Sequence, residues 1–298
     1  MPSARSRTEL LAFAALMGMT AAWGSTFFLI KDIVTRVPVP DLLALRFALA
    51  TVALALIAAR RVRITRQILV SGLILGLLYG VAQLLQTVGL AHTAASISGF
   101  LTGLYVVATP LLGALIMKHK ISRTAWLAAV LATTGLAVLS LRGFSIGYGE
   151  LLTCLAALIY AGHIVALGRL SVPGIALGLS VVQLSVITIL CTLAAWLSGS
   201  SGRGIQLPGT VADWLILIYL AVIAGALTMV LQTWAQARVE SSRAAVLMAM
   251  EPVWAAAFAV ALGGESLTVR MVIGGLAIVT AMYLVERAPR RTAVTEPA

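Results

Sequence analysis

Charge is scarce in this sequence. Charged residues fill 10% of its 298 positions, against 61% for hydrophobic ones, whereas a soluble domain carries roughly 25% charge. So few polar groups cannot clothe a water-soluble globule of this length. The net charge of +11 would suit a nucleic acid if it formed a stripe. It does not: the basic residues fall in short clusters between apolar runs, and no nucleic-acid partner is expected. Cysteine is almost absent too. Cys154 and Cys191 lie inside apolar segments without metal-ligand spacing and read as core residues. Nothing matches a phosphate-cradling G-x-x-x-x-G-K-[ST] loop, an H-E-x-x-H helix or a nucleophile elbow. ATP drive within the chain, an enzyme and a bound cofactor are therefore not expected.

Long apolar runs are what the chain has in abundance. A helix needs about 20 apolar residues to cross a ~30 Å hydrocarbon layer. Read against that length, the chain divides at 10–30, 41–59, 68–88, 94–117, 124–141, 149–169, 176–197, 213–235, 244–262 and 270–286. The connections are short, the longest being the Ser/Gly-rich stretch 198–212. Arg5 and Arg7 precede the first run as in a signal peptide. That run exceeds the usual ~7–15 residues of an h-region and has a counterpart later in the chain, so it is read as a retained helix.

Orientation follows from the positive-inside rule. With the N-terminus in the cytoplasm, fifteen of the 21 Lys and Arg fall inside, in clusters such as Arg60–Arg61–Arg63–Arg66, Lys118–Lys120–Arg123 and Arg287–Arg290–Arg291. Five fall outside (Lys31, Arg36, Arg142, Arg203 and Arg270), and Arg46 alone falls within a span. Both termini are expected in the cytoplasm.

The two halves are weakly alike. Trp23–Gly24–Ser25 corresponds to Tyr160–Ala161–Gly162, and the same offset of 137 carries Arg46 onto Gln183. Pro110 matches Pro252, and 126–139 can be laid on 271–284. Each half holds five crossings; because five is odd, the second half must enter the membrane from the opposite side. The expected fold is all-α and integral to the membrane, with ten transmembrane helices as two inverted five-helix repeats, an arrangement found in many secondary transporters. The repeats are 1–142 and 147–287, with 288–298 a cytoplasmic tail.

Several passages then resemble a known family: AAWGSTFFLIK (21–31), LLALRF (42–47), VGLAHTAASISGFLTGLYVVATPLLGAL (88–115), SSRAAVLMAMEPVWAAAFA (241–259) and GGESLT (263–268). The chain resembles the ten-helix exporter branch of the drug/metabolite transporter superfamily, with two EamA-type repeats. The resemblance implies metabolite efflux across a bacterial inner membrane, and the aromatic Trp23, Tyr79, Tyr105, Tyr160, Trp234 and Trp254 would suit an amphipathic solute, amino acids among the candidates. It says little about which substrate. Where the first repeat of that family often carries an Arg-Glu pair, this chain has Lys118–His119–Lys120, so no acidic role is carried over there.

Polar groups in hydrocarbon are costly unless paired or facing water, so polar residues sharing a helix face mark a cavity. At 100° per residue, Ser98, Thr102, Tyr105 and Thr109 share a face of the fourth helix, and Tyr79, Gln83 and Gln86 a face of the third. Tyr160 with His163, Thr228 with Gln232, and Trp23 with Thr20 and Phe27 mark the sixth, eighth and first, and Leu247, Glu251 and Trp254 the ninth. The expected substrate-lining set is Trp23, Tyr79, Gln83, Gln86, Thr102, Tyr105, Tyr160, His163, Gln232 and Trp254, with helices 2, 5, 7 and 10 peripheral. Glu251, the one acidic residue deep in a span, is a candidate proton or amine site beside the kinking Pro252; Pro110 should kink the fourth helix likewise. Arg46 is expected near the outer end of its helix, snorkelling or pairing with Asp41 or Asp32. Gly72, Gly76 and Gly80 read as a close-packing row. The expected partners are a small-molecule substrate and the lipid bilayer, and a homodimer is compatible with this reading. The expected function is a secondary transporter working by alternating access, proton coupling included; an integral membrane enzyme or a passive channel are the alternatives.

Overall fold

The computed structural model describes residues 7–116, 123–140, 146–198, 204–239 and 241–287. The basic loop around Lys118–Lys120, Arg5, Arg142, Arg203 and the 288–298 tail, on which part of the orientation argument rests, lie outside them. Among the described residues all regular structure is helical. Seven stretches are long and apolar enough to cross a membrane. Five are single helices: α1 Arg7–Ile33, α2 Val39–Ala58, α3 Arg66–Ala91, α7 Tyr148–Leu170 and α8 Ala176–Leu197. The other two, Ala95–Ile116 and Val211–Gln236, are interrupted. Helices also stand where the fifth, ninth and tenth crossings are expected, but their apolar stretches Trp126–Gly135, Glu251–Ala261 and Val269–Ala281 are shorter.

The interruptions have local causes. Ala95–Ile116 divides into α4 Ala95–Thr102 and α5 Tyr105–Ile116. At Gly103–Leu104 the bonds tighten to three-residue spacing, as in Leu104 N to Leu101 O (3.1 Å) and Val106 N to Gly103 O (3.0 Å). Pro110 lies inside α5, so the break falls about two turns before the residue expected to make it. Val211–Gln236 runs as α9 Val211–Ile218, a π-helical segment Tyr219–Leu227 and α10 Thr228–Gln236. Then come α11 Ser241–Leu247, a 3₁₀ turn Met248–Met250 and α12 Glu251–Ala261. Here proline is the cause: Pro252 has no N–H for the Met248 carbonyl, and the helix tightens over the preceding turn. The remaining helices are α6 Arg123–Ser140 and α13 Val269–Arg287.

Glycines set the closest approaches. A Cβ on Gly72 would lie 2.5 Å from Val182, one on Gly76 2.7 Å from Val186, and one on Gly80 2.8 Å from Leu190. The partners advance in step, four residues for four, so α3 and α8 run parallel with backbones in contact. The expected packing row is this contact. Against α7 the order reverses: Tyr79 meets His163, Gln83 meets Tyr160 and Gly89 meets Thr153. α3 is thus antiparallel to α7 while touching α8. The outer surface is apolar, with Leu56, Ile189, Leu215 and Leu276 all more than half exposed, as a lipid-facing surface requires and a water-facing one avoids.

Polar contacts tie the ends of several helices. Arg36 binds Asp32 (2.6 Å) and Asp213 (2.7 Å), and hydrogen bonding to the two carboxylates raises its guanidinium above the ordinary arginine range. Lys31 Nζ donates to the terminal carbonyls of α3, Leu90 O (3.0 Å) and Ala91 O (2.9 Å). Glu265 accepts from Ala95 N (2.7 Å) and from the Ser96 hydroxyl, capping α4.

Candidate functional site

Nine of the ten expected substrate-lining side chains, with Glu251, meet around one cavity among the spans. α1 contributes Trp23, Thr26 and Phe27; α3 contributes Tyr79, Gln83 and Gln86. α4 and α5 add Thr102 and Tyr105, and α7 adds Tyr160, His163 and Ile164. Gln232 of α10, Met248 and Glu251 complete one side, and Arg46 of α2 another. The volume is about 40 Å³, space for a few water molecules. A metabolite would need these helices to move apart.

The walls are knit by hydrogen bonds between spans. The Tyr160 hydroxyl lies 3.1 Å from Gln83 Oε1 and 3.0 Å from Gln86 Oε1. Gln86 Nε2 donates to Thr102 Oγ1 at 2.9 Å, which ties α3 to α4. Trp23 Nε1 donates to Thr228 Oγ1 at 3.0 Å. The Tyr79 ring stands edge-on to both Tyr160 and His163, with centroids 5.3 Å apart in each case. His163 Nε2 meets Gln183 Oε1 of α8 at 3.1 Å. His163 Nδ1 and Gln232 Oε1 are buried without a hydrogen-bond partner, and each is a polar atom that water or a ligand in the cavity can satisfy.

Glu251 sits where α12 begins, 5% exposed. The Tyr105 hydroxyl lies 2.9 Å from Glu251 Oε2 and 3.0 Å from the Met248 carbonyl, which Pro252 cannot reach and which accepts the Glu251 N–H in the 3₁₀ turn instead. One hydroxyl has one proton. With Glu251 ionised, two acceptors compete for it. With Glu251 protonated, the carboxyl can donate to the Tyr105 oxygen while Tyr105 donates to Met248, and every group is satisfied. The geometry thus joins the charge of Glu251 to the break before α12.

Arg46 departs from its expected place. It is 3% exposed, with Nε donating to Leu220 O (3.1 Å) and Nη2 set 3.5 Å from Ala224 O. It neither snorkels nor pairs with the suggested carboxylates: Asp32 is engaged by Arg36, and Asp41 accepts from Gln206 N at 3.1 Å. The acceptors for Arg46 belong to the π-helical segment, a form that often marks functional sites and that the apolar run YLAVIAGAL does not announce. Helix two is therefore not peripheral. Neither is the seventh span, since α8 supplies Gln183 to His163.

Trp254 does not reach the cavity. α1 and α12 approach so closely at Gly24 that a Cβ there would lie 2.4 Å from Trp254 Cβ, which leaves no room for an indole between them. The ring turns outward, 38% exposed, and stacks on Phe258 with centroids 5.9 Å apart. Leu247 packs into the apolar core. Thr26, Ile164 and Met248 line the cavity but were not among the expected residues; threonine and apolar side chains on mostly apolar helices give no signal of their own.

Comparison with known proteins places this geometry. The model of the EamA-like transporter family matches twice, over residues 10–141 and 147–287. The chain belongs to the EamA-like transporter family. It is accordingly a multi-pass membrane protein. This EamA-like chain is 33% identical over 204 residues to a protein of Archaeoglobus fulgidus described as an uncharacterized transporter. That match covers 67% of the EamA-like chain and 63% of the relative's length. A protein of known crystal structure shares the fold, with a TM-score of 0.67 at 21% identity over 94% of this chain and 96% of that one.

Proposed function

We infer that this chain is a secondary transporter that moves a small metabolite, amino acids being candidates, outward across the inner (plasma) membrane by alternating access. The observation that carries this reading is the cavity itself: a buried carboxyl, a buried cation and unpartnered polar atoms meet between helices of both halves of an apolar bundle. In this reading ten helices cross the membrane as two inverted repeats, 1–142 and 147–287, with both termini and the 288–298 tail in the cytoplasm. The pairing of helices supports the repeat. Thr51 and Thr188, separated by 137, share a hydrogen bond of 2.9 Å where α2 meets α8, and 137 is also the offset that matches the halves. A residue touches its own counterpart only close to a symmetry axis. Trp23 of the first helix also bonds Thr228 in the other half, as its counterpart Tyr160 bonds Gln83 and Gln86.

Glu251 is the coupling group in this reading. A carboxylate can hold a proton or a substrate ammonium but not both, and in a carrier whose empty, ionised site does not switch sides that exclusion links the two fluxes. The residues expected to bind substrate keep that role here, apart from Trp254. The test is uptake into proteoliposomes under an imposed pH gradient, screening labelled amino acids and small amphipathic solutes. Accumulation that follows the gradient supports the coupled transporter. Movement only down the solute's own gradient would leave a facilitator, and covalent turnover of a solute would favour an enzyme.

A further inference from the structure

Arg46 presents an energetic problem that neither the fold nor the coupling carboxyl resolves. Its guanidinium lies inside the bundle, 3% exposed, in the wall of the cavity. Two backbone carbonyls of the π-helical segment accept from it. Among the described residues no carboxylate lies within ion-pair distance of it; the ion pairs of Arg36 take up Asp32 and Asp213. A cation held in a membrane interior by dipoles alone is costly, and such groups pair or face a functional cavity. The Phe47 ring, 5.1 Å from the guanidinium carbon, adds a cation–π contact but no charge. A structural anchor for α2 would be served by a neutral donor, as Gln183 shows at the matching position of the second half, where it meets His163 and Thr233 through its amide. The planar fork of arginine is suited to a carboxylate, which it can hold with two parallel hydrogen bonds.

We propose that Arg46 is the anion anchor of the cavity and that the transported solutes carry a carboxylate. The proposal rests on the transporter reading above and narrows its substrate class. Arg46 of α2 holds the carboxylate, while Glu251 of α12, in the wall of the same cavity, receives an ammonium where the solute has one. The aromatic rings of Trp23, Phe27 and Tyr79 cover the side chain between them. A zwitterion satisfies both buried charges at once; a solute with the ammonium alone leaves Arg46 uncompensated.

Binding separates this proposal from transport. The purified protein in detergent is titrated with phenylalanine, phenylalaninamide and 3-phenylpropanoate, and its thermal unfolding is followed for each. Phenylalanine should bind best, and phenylalaninamide about tenfold or more weaker, since it lacks the charge-assisted pair. Arg46→Gln should erase that difference, and Arg46→Lys should restore part of it. Comparing acid with amide on the unaltered protein keeps the test informative if the glutamine variant fails to fold. Equal binding of acid and amide, or no protection by either carboxylate probe, overturns the anchor. If the carboxylates bind as expected but no solute moves in proteoliposomes, the anchor stands and the transporter reading falls. Transport that takes acid and amide alike would do the reverse.

Discussion

Tyr105 faces two acceptors with one proton, and this makes it the residue whose loss is easiest to forecast. In Tyr105→Phe the Met248 carbonyl keeps the Glu251 N–H but loses its second donor, and the buried Glu251 carboxyl loses its hydroxyl partner. A buried acceptor left without its partner, here the Glu251 carboxyl, costs about 1–3 kcal/mol, which should lower the thermal unfolding midpoint in detergent while the helical content stays unchanged. An unaltered midpoint would show that water or a shift of the 3₁₀ turn replaces the hydroxyl. Glu251→Gln makes the complementary change. Its amide keeps the size of the side chain and can donate to Tyr105 as a protonated carboxyl does, so the protein should fold. It cannot exchange a proton, so solute movement should cease to follow a pH gradient. If the variant still concentrates solute as the pH gradient rises, the coupling role of Glu251 fails.

Gly76 shows how one atom governs a helix pair. A Cβ there would sit 2.7 Å from Val186 Cβ and 2.8 Å from the Gln183 carbonyl oxygen, and backbone cannot step aside as a flexible side chain can. Gly76→Val should force α3 from α8 and cost at least about 1–3 kcal/mol, as overpacked cores do, read as a lower unfolding midpoint and a smaller folded yield. Gly162→Ala is the control: nothing lies within 4 Å of the added carbon, so the same assays should show no loss. A normal midpoint for Gly76→Val would deny the close contact. This row was legible in the sequence because small residues at every fourth position have one obvious use. The polar faces of α3 and α7 were legible too, since 100° per residue holds over an unbroken helix. The misreadings gather where that arithmetic stops: Arg46 meets carbonyls of a π-helical segment, and α4 breaks at Gly103–Leu104 rather than by Pro110. Trp254 was lost to a contact between helices, because a glycine on α1 decides which way an indole on α12 can turn.

Topology is a property of the whole molecule, and it decides whether the cavity lies between two inverted halves. Among the described residues seven stretches have the length and apolarity to cross a membrane; the ten-crossing reading needs three more from shorter apolar stretches. The two counts part at α6: with the N-terminus inside, seven crossings put the loop at 172 outside and that at 207 inside, whereas ten put 172 inside and 207 outside; the α12–α13 loop is outside in both. Single cysteines can distinguish them, with Cys154 and Cys191 first replaced by Ala. Ile64→Cys and Val172→Cys should be protected from a membrane-impermeant maleimide in intact cells and react after permeabilisation, because both lie in expected inner loops. Leu207→Cys and Ser266→Cys should react without permeabilisation. Positions 172 and 207 separate the two counts, and position 266, in an exposed loop between the helix that carries Glu251 and α13, then tests α12 itself. With 207 also labelled from outside, labelling at 266 requires α12 to cross, which puts Glu251 inside the bilayer. Protection at 266 in intact cells, with 207 labelled, would mean that the chain ends its crossings early. The two halves would then not be inverted copies, and alternating access would have to come from some motion other than the exchange of two like packings.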